Sequence, residues 1–326
     1  MSSNLTPSAM KKLIFLLSVL LVLNNIPIAY AENFENLRIE QEDKLFVPLE
    51  NADEVWNYLY QQYVADKDNI KKLDPLFSSY YNEEDFTDVY FDTPDLKLLS
   101  MRSSVRHRKR INLTNPEDIK NEKELIQIKV SNISSNPLNR GEFKFPVDSA
   151  YRKKFEQKLG EMGINPASLR PILTVKDLRE RIYFEKDGKP IFSISFDNVT
   201  SRIWWARTNF IEIEPELNEI TYTEANSETR KNMEGILGKV VSDIKNKFPF
   251  IKSDLAPKYN KSFNYLNSQL PFLKFLVKFN LHHTQGILII IFILLIIIGA
   301  GIYWLFAAFR RKKINKQIYD RKSNQN

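Results

Sequence analysis

Segment after segment of this chain places charged or polar residues at every second position, with apolar residues between them. Glu40, Glu42 and Lys44 do so in LRIEQEDKLFV, residues 37 to 47, and Arg106, Arg108 and Arg110 do so in SVRHRKRIN. Arg140, Glu142 and Lys144, then Arg179 and Arg181, then Glu212, Glu214 and Glu216 repeat the pattern, and Gln127/Lys129 and Ser193/Ser195/Asp197 keep its period. A period of two is that of a β-strand, whose successive side chains point to opposite faces, so each segment gives a strand with one charged and one apolar face. A sheet built from such strands has two outcomes. Its charged face lies in water, as one face of an antiparallel sheet commonly does, or the sheet closes and that face lines an interior. Arginine pairs and glutamate triplets separate strand by strand, which favours the closed form, with a basic wall, an acidic patch and an apolar outer face covered by helices. A barrel of about eight strands has room inside for one small ligand.

Helical periodicity appears in three places. Residues 51 to 64 put Val55, Leu59 and Tyr63 on one face; residues 151 to 163 form a second helix; a capped helix starts near Ser227, with Met233, Leu237, Val240 and Ile244 as its apolar stripe. DVYFDTPD, 88 to 95, predicts a short strand running into a proline-containing turn, where Asp92 serves the backbone. The expected fold class is α+β: eight or so antiparallel strands closing into a barrel, with flanking helices.

Two apolar runs stand outside that domain. KKLIFLLSVLLVLNNIPIAYA, 11 to 31, has lysines, a short apolar core and a small-residue site at Ala29 to Ala31. It reads as a secretory signal peptide over 1–31, with an uncleaved anchor as the alternative. Residues 286 to 309 carry no charge and are long enough to cross a bilayer as a helix. Arg310, Arg311, Lys312 and Lys313 follow at once, so the positive-inside bias makes 310–326 a cytoplasmic tail. The expected organisation is a leader (1–31), an exported or periplasmic domain (32–268), a juxtamembrane segment (269–285), one span (286–309) and the tail. QLPFLKFLVKFNLHH, 269 to 283, is either an interfacial segment or a last helix packed on the domain. Much of the net charge of +7 sits in that tail, so nucleic acid is not an expected partner. The sequence does not fix the oligomeric state.

The chain has no cysteine and three histidines. Disulfides, thiolate metal sites and thiol nucleophiles are excluded, and His107, His282 and His283 offer no triad or zinc site. The chemistry therefore rests on carboxylates, lysines and arginines. Guanidinium forks match phosphate oxygens. Clustered glutamates oppose a polyanion unless a divalent cation lies between them, as Mg²⁺ does when it joins carboxylates to phosphates.

These residues carry a resemblance. Glu40-x-Glu42-x-Lys44 resembles the ExExK signature of the CYTH family, the triphosphate tunnel metalloenzymes. YFDTPDLKLLS at 90 to 100 resembles its YxDTxDxxL segment, and Ser104-Val-Arg-His-Arg108 its following basic strand. Lys129, Arg140-x-Glu142, Arg179-x-Arg181, Asp197 and Glu212-x-Glu214 follow in the family's order, and Lys258-Tyr259 resembles its closing turn. The similarity runs from about 37 to 266 and extends to the related VTC domain of polyphosphate polymerases. It implies an eight-stranded barrel acting on triphosphate or polyphosphate with Mg²⁺ or Mn²⁺. Glu40, Glu42, Lys44 and Glu214 would be catalytic, and Glu40, Glu42, Glu212, Glu214 and Asp197 would face the metal. Lys44, Arg106, Arg108, Lys129, Arg140, Arg179, Arg181 and Lys258 would hold phosphates. Which glutamate positions the water stays open. Two departures stand out: Lys144 replaces the family's second glutamate of RxExE, and DLAP precedes Lys258 where the family has a serine-containing turn. The favoured reading is a metal-dependent triphosphatase or polyphosphatase. A polymerase, a cyclase and a membrane-tethered polyphosphate sensor are the alternatives.

Overall fold

A computed structural model describes residues 38–114, 123–131 and 140–323. The expected leader lies outside those residues. The chain divides into two compact units, one running to Lys274 and the other from Phe275.

Among the described residues, the first unit is built on one antiparallel sheet of ten strands. These are β1 (Arg38–Glu40), β2 (Leu45–Val47), β3 (Phe77–Asp92), β4 (Ser104–Asn112), β5 (Lys123–Val130), β6 (Arg140–Pro146), β7 (Arg170–Lys186), β8 (Lys189–Ile203), β9 (Ala206–Leu217) and β10 (Lys252–Ser253). Their hydrogen-bonded order is β1-β6-β5-β4-β3-β7-β8-β9-β2-β10. The α+β class is as expected, but the sheet has ten strands rather than eight and its hydrogen-bonded order is open. One extra strand is β10, which pairs with β2, and the other arises because the segment LRIEQEDKLFV is two strands instead of one. β1 pairs with β6, whereas β2 pairs with β9 at the other end of the order. Between them the backbone leans on β9, through Asp43 N–H to the Pro215 carbonyl and Leu217 N–H to the Gln41 carbonyl, each 2.9 Å. The alternation of side chains continues through this change of partner, which is why the sequence pattern looks uninterrupted.

β3 is 16 residues long, so DVYFDTPD is the end of a long strand rather than a short one. β7 and β8 meet in a two-residue turn at Asp187 and Gly188, both with positive φ, the backbone that the tightest hairpins need and that glycine adopts freely.

Among the described residues, seven α-helices lie within this unit: α1 (Ala52–Tyr60), α2 (Lys67–Lys71), α3 (Lys97–Ser100), α4 (Ser149–Glu161), α5 (Glu219–Glu224), α6 (Ser227–Lys247) and α7 (Lys258–Gln269). α1 runs on into a π-helical turn, Gln61–Ala65, which completes the helix expected over 51 to 64. Asn226 caps α6 by accepting from Thr229 N–H at 2.8 Å, and Asp148 caps α4 by accepting from Ala150 N–H at 2.9 Å, each cap worth about 1 kcal/mol. Val55, Leu59 and Tyr63 join Met233, Leu237, Val240 and Ile244 in one core against Leu45, Val47, Ile182, Ile194, Ile211 and Ile213. Full burial of each such aliphatic side chain contributes about 1.5–3 kcal/mol. A second core lies where Leu159 of α4 and Ile164 meet Val105, Ile128, Phe143 and Phe145 of β4 to β6. Both cores use the apolar face of the sheet. Lys258 and Tyr259, expected in a closing turn, instead begin α7, with Tyr259, Phe263 and Leu266 buried along it.

α8 (Leu273–Lys278) follows, within the segment for which an interfacial stretch and a last helix were the alternatives. α9 (Thr284–Ser323) contains an almost wholly exposed stretch, Gln285–Arg311, long and apolar enough to cross a membrane. The helix continues past Arg310 through most of the expected tail.

Candidate functional site

The polar face of the sheet surrounds a cavity of about 720 Å³. Glu40, Glu42, Lys44, Arg106, Lys129, Arg140, Arg179 and Glu214 line it and are all buried, with Glu212 and Asp197 buried behind that lining. Arg108 and Arg181 also line it, at greater exposure. Lys258 reaches the same interior from the first residue of α7. The residues singled out in the sequence are thus brought together from seven strands, the segment joining β1 to β2, and one helix.

Inside, the described cations are set against carboxylates, Arg181 most loosely, at 4.0 Å from Glu216. Lys44 Nζ lies 2.6 Å from Glu214 and 3.8 Å from both Glu42 and Glu212. Arg179 donates to both oxygens of Asp197, at 2.6 and 2.5 Å, and to Glu214 at 2.8 Å. Lys258 Nζ donates to Asp177 at 2.7 Å and to Asp197 at 2.6 Å, and Lys261 donates to Glu212 at 2.8 Å. On the opposite wall, Arg140 donates to Glu42 at 2.6 Å and Lys129 to Glu40 at 2.5 Å. Lys144, the departure from the family pattern, sits 2.7 Å from Glu142 and 2.7 Å from Glu219. Arg108 forms a two-pronged pair with Asp88, with both distances 2.7 Å, and Arg106 joins the same carboxylate at 3.0 Å. Arg181 bonds the Ser195 hydroxyl at 2.8 Å.

Burial and pairing compete at each group. Burial disfavours the Lys44 ammonium, but the carboxylates of Glu214, Glu42 and Glu212 outweigh it and hold Lys44 protonated beyond the ordinary lysine range. Burial likewise opposes ionised Glu42 and Glu214, yet Lys44 with Arg140, and Lys258 with Lys44 and Arg179, keep them below the usual carboxylate range. Asp88 is also buried and is held low by Arg106 and Arg108. Asp177 is the reverse case: burial and the Asp197 charge push it up to about 6.

The expected metal-facing carboxylates fall into two places. Asp197, Glu212 and Glu214 each offer an oxygen within 4.8 Å of the others, while Glu40 groups with Glu142 and Glu219 on the same criterion. Glu42 belongs to neither group and is paired instead with Arg140 and Lys44. The first group suits a hard divalent ion, because its donors are all oxygens and all buried. Glu212 Oε1 is buried without a hydrogen bond, and the Lys258 ammonium stands 3.3 Å from it.

Several interior residues were not singled out from the sequence. Glu84 and Asp88 of β3, Asp177 of β7 and Lys261 of α7 are buried in this network. Asp177 keeps the same period as Arg179 and Arg181, and Lys261 follows Lys258 by about one helical turn, so both were within reach. Asp92 does what a turn residue does: it accepts from the backbone N–H groups of Thr93, Leu98 and Leu99 at 2.7, 2.8 and 2.8 Å, and from the Tyr259 hydroxyl at 3.0 Å.

A family model described as the CYTH domain matches residues 63–244. Among solved structures, the chain is similar to the PH1819 protein from Pyrococcus horikoshii OT3, at 16% identity over 71% of this chain and 99% of that one, with a TM-score of 0.39. It is similar to HpAC1 from Hippeastrum, a protein described with a dominant triphosphatase activity, at 16% identity over 71% and 96%, with a TM-score of 0.40. A third is the Pct1 RNA triphosphatase of S. pombe in complex with the Spt5 CTD, at 12% identity over 78% and 94%, with a TM-score of 0.32. No curated protein sequence matches.

Proposed function

This chain belongs to the CYTH family, and on that premise we propose that it hydrolyses a triphosphate or polyphosphate with the help of Mg²⁺ or Mn²⁺. The observation that carries the reading is the composition of the cavity wall: buried lysines and arginines from opposite sides converge on one space, beside a group of three buried carboxylates. Arg106, Arg108, Lys129, Arg140, Arg179 and Arg181, with Lys44 and Lys258, take the phosphate oxygens. Their present partners are carboxylates, whose oxygens a phosphate chain replaces in kind. Asp197, Glu212 and Glu214 hold the divalent ion. When bound, that ion supplies charge neutralisation and polarisation of a phosphoryl oxygen. Glu40 and Glu42 orient Lys129 and Arg140 and offset the repulsion among the cations of the basic wall. Catalysis of this kind is positioning and electrostatic stabilisation of charge on the transferred group. The short segment joining β1 to β2 completes a closed tunnel around the substrate.

In the same reading α9 crosses the membrane once, the domain lies on the non-cytoplasmic side and the tail is cytoplasmic. Arg310 and Arg311 at the end of the apolar stretch support this by the positive-inside bias. Because the chain has no cysteine, single cysteines placed in the domain or the tail and labelled with an impermeant maleimide report the side of each. Neither polymerase chemistry nor binding without turnover has an observation in its favour.

The experiment for the activity is phosphate release by the full chain from tripolyphosphate and from ATP, with and without Mg²⁺ or Mn²⁺. Metal-dependent release, abolished in Glu42→Ala/Glu214→Ala, is the expected result. Release that survives that double substitution refutes the assignment.

A further inference from the structure

β8 and β9 turn at Trp204 and Trp205, between Ile203 and Ala206. Trp204 has φ 55, a left-handed backbone that a two-residue hairpin turn fills with glycine or asparagine by preference and that a bulky residue rarely adopts. Trp205 is 61% exposed and Phe272, against it, is 46% exposed. The three rings form one cluster, with centroids 5.5 Å apart for the two tryptophans and 6.3 and 6.5 Å from each to Phe272. Arg202 and Arg207 flank the turn and are exposed. A glycine would turn this tip more easily than two tryptophans do.

The position of the tip says what it meets. Gln269, at the end of α7, bonds the backbone of Arg207 in both directions, so the hairpin is braced where the chain leaves the domain. Between Phe272 and the apolar stretch beginning at Gln285 lie residues 273 to 284, which reach at most about 40 Å even fully extended and less because Leu273–Lys278 is helical. The intervening sequence, LKFLVKFNLHH, mixes phenylalanines with lysines. A tip of tryptophans rimmed by arginines, tethered this closely to a span, has the make-up of a bilayer interface, where amphipathic aromatic rings and basic side chains concentrate.

We infer that the β8–β9 tip is a second membrane contact: Trp204 and Trp205 insert at the headgroup level of the bilayer that α9 crosses. The inference rests on α9 being a span.

The test uses the full chain with Trp56→Phe and Trp304→Phe, which leaves Trp204 and Trp205 as the fluorophores. It is reconstituted in vesicles of phosphatidylcholine and phosphatidylglycerol, with or without lipids brominated near the headgroup. The expected result is emission reduced about twofold by the brominated lipid, as for interfacial tryptophan, with weak quenching by aqueous iodide. Full iodide quenching without a bromolipid effect puts the tip in water and overturns the inference. Protection from both quenchers means that protein, such as a second copy, covers the tip, and also overturns it. An alkaline carbonate wash separates the two levels: a chain washed off the vesicles overturns the span and the contact together, whereas a chain that stays while its tip is unquenched by lipid overturns the contact alone.

Discussion

Replacing Glu214 by glutamine should damage folding and catalysis while strengthening the response to a polyanion. Glu214 accepts from Lys44 at 2.6 Å and from Arg179 at 2.8 Å, with all three groups buried. A hydrogen bond to a charged group contributes about 1.5–3 kcal/mol. Glutamine keeps one accepting oxygen but turns an N–H₂ toward the second cation, so the loss is one such bond and some repulsion, about 3 kcal/mol. In a domain of this size that lowers the melting temperature by about 6–12 °C. The same change removes one negative charge from an interior that must accept phosphates. Tripolyphosphate therefore binds more tightly, and its stabilising shift, about 2.7 kcal/mol at a hundredfold excess over Kd, becomes larger in the variant than in the parent. Phosphate release falls about 10²–10³-fold, as when a preorganised electrostatic group is removed from other active sites. Thermal melts with and without tripolyphosphate, beside a phosphate-release assay with Mg²⁺, measure all three. A variant that melts like the parent and turns over at the parental rate refutes the role given to Glu214.

Three further outcomes are expected. Burial and the Glu83 charge push Glu180, on the outer face, up to about 7; a folded value raised above the unfolded one near 4.3 gives stability present at low pH and lost as pH rises through 7, so Glu180→Gln should raise the melting temperature at pH 8 and leave it unchanged at pH 4. Lys144→Glu places a third carboxylate beside Glu142 and Glu219; it should cost about 3–5 kcal/mol in EDTA, with part of the loss recovered by Mg²⁺ in the same melting assay. Asp92→Ala strands three backbone donors and the Tyr259 hydroxyl and should cost about 3 kcal/mol, against about 1 for Tyr259→Phe, with faster proteolysis within α7 as the check.

The strands of the charged interior were legible because period two is imposed by the backbone and the charges make one of its two faces visible. The same rule failed in NEEDFTDVYF. There Glu83, Glu84 and Asp85 follow one another, so both faces carry charge, and the inward positions also hold Phe86 and Tyr90, so the inward face does not stand out as the charged one. Glu84 and Asp88 were hidden for that reason. The switch of partner between β1 and β2 was hidden for another: alternation records which way a side chain points, not which strand lies beside it. Helix α7 was missed despite its Tyr259, Phe263 and Leu266 spacing, because Lys258-Tyr259 was read through its resemblance to the family's closing turn, whereas in the structure Pro257 is the cap of a helix.

The exchange of partners at Gln41 to Asp43 has a mechanical consequence. One short thread runs from β1, at one margin of the sheet, to β2, next to the other margin, and carries Glu42 and Lys44. A phosphate chain gripped by Lys44 and by the cations of β4, β6 and β7 would act as a rivet across the seam, so the amides of residues 41 to 47 should be those whose hydrogen exchange slows most on substrate capture. A single proteolytic nick in the thread would, by the same token, open the wall and discard the chemistry in one event.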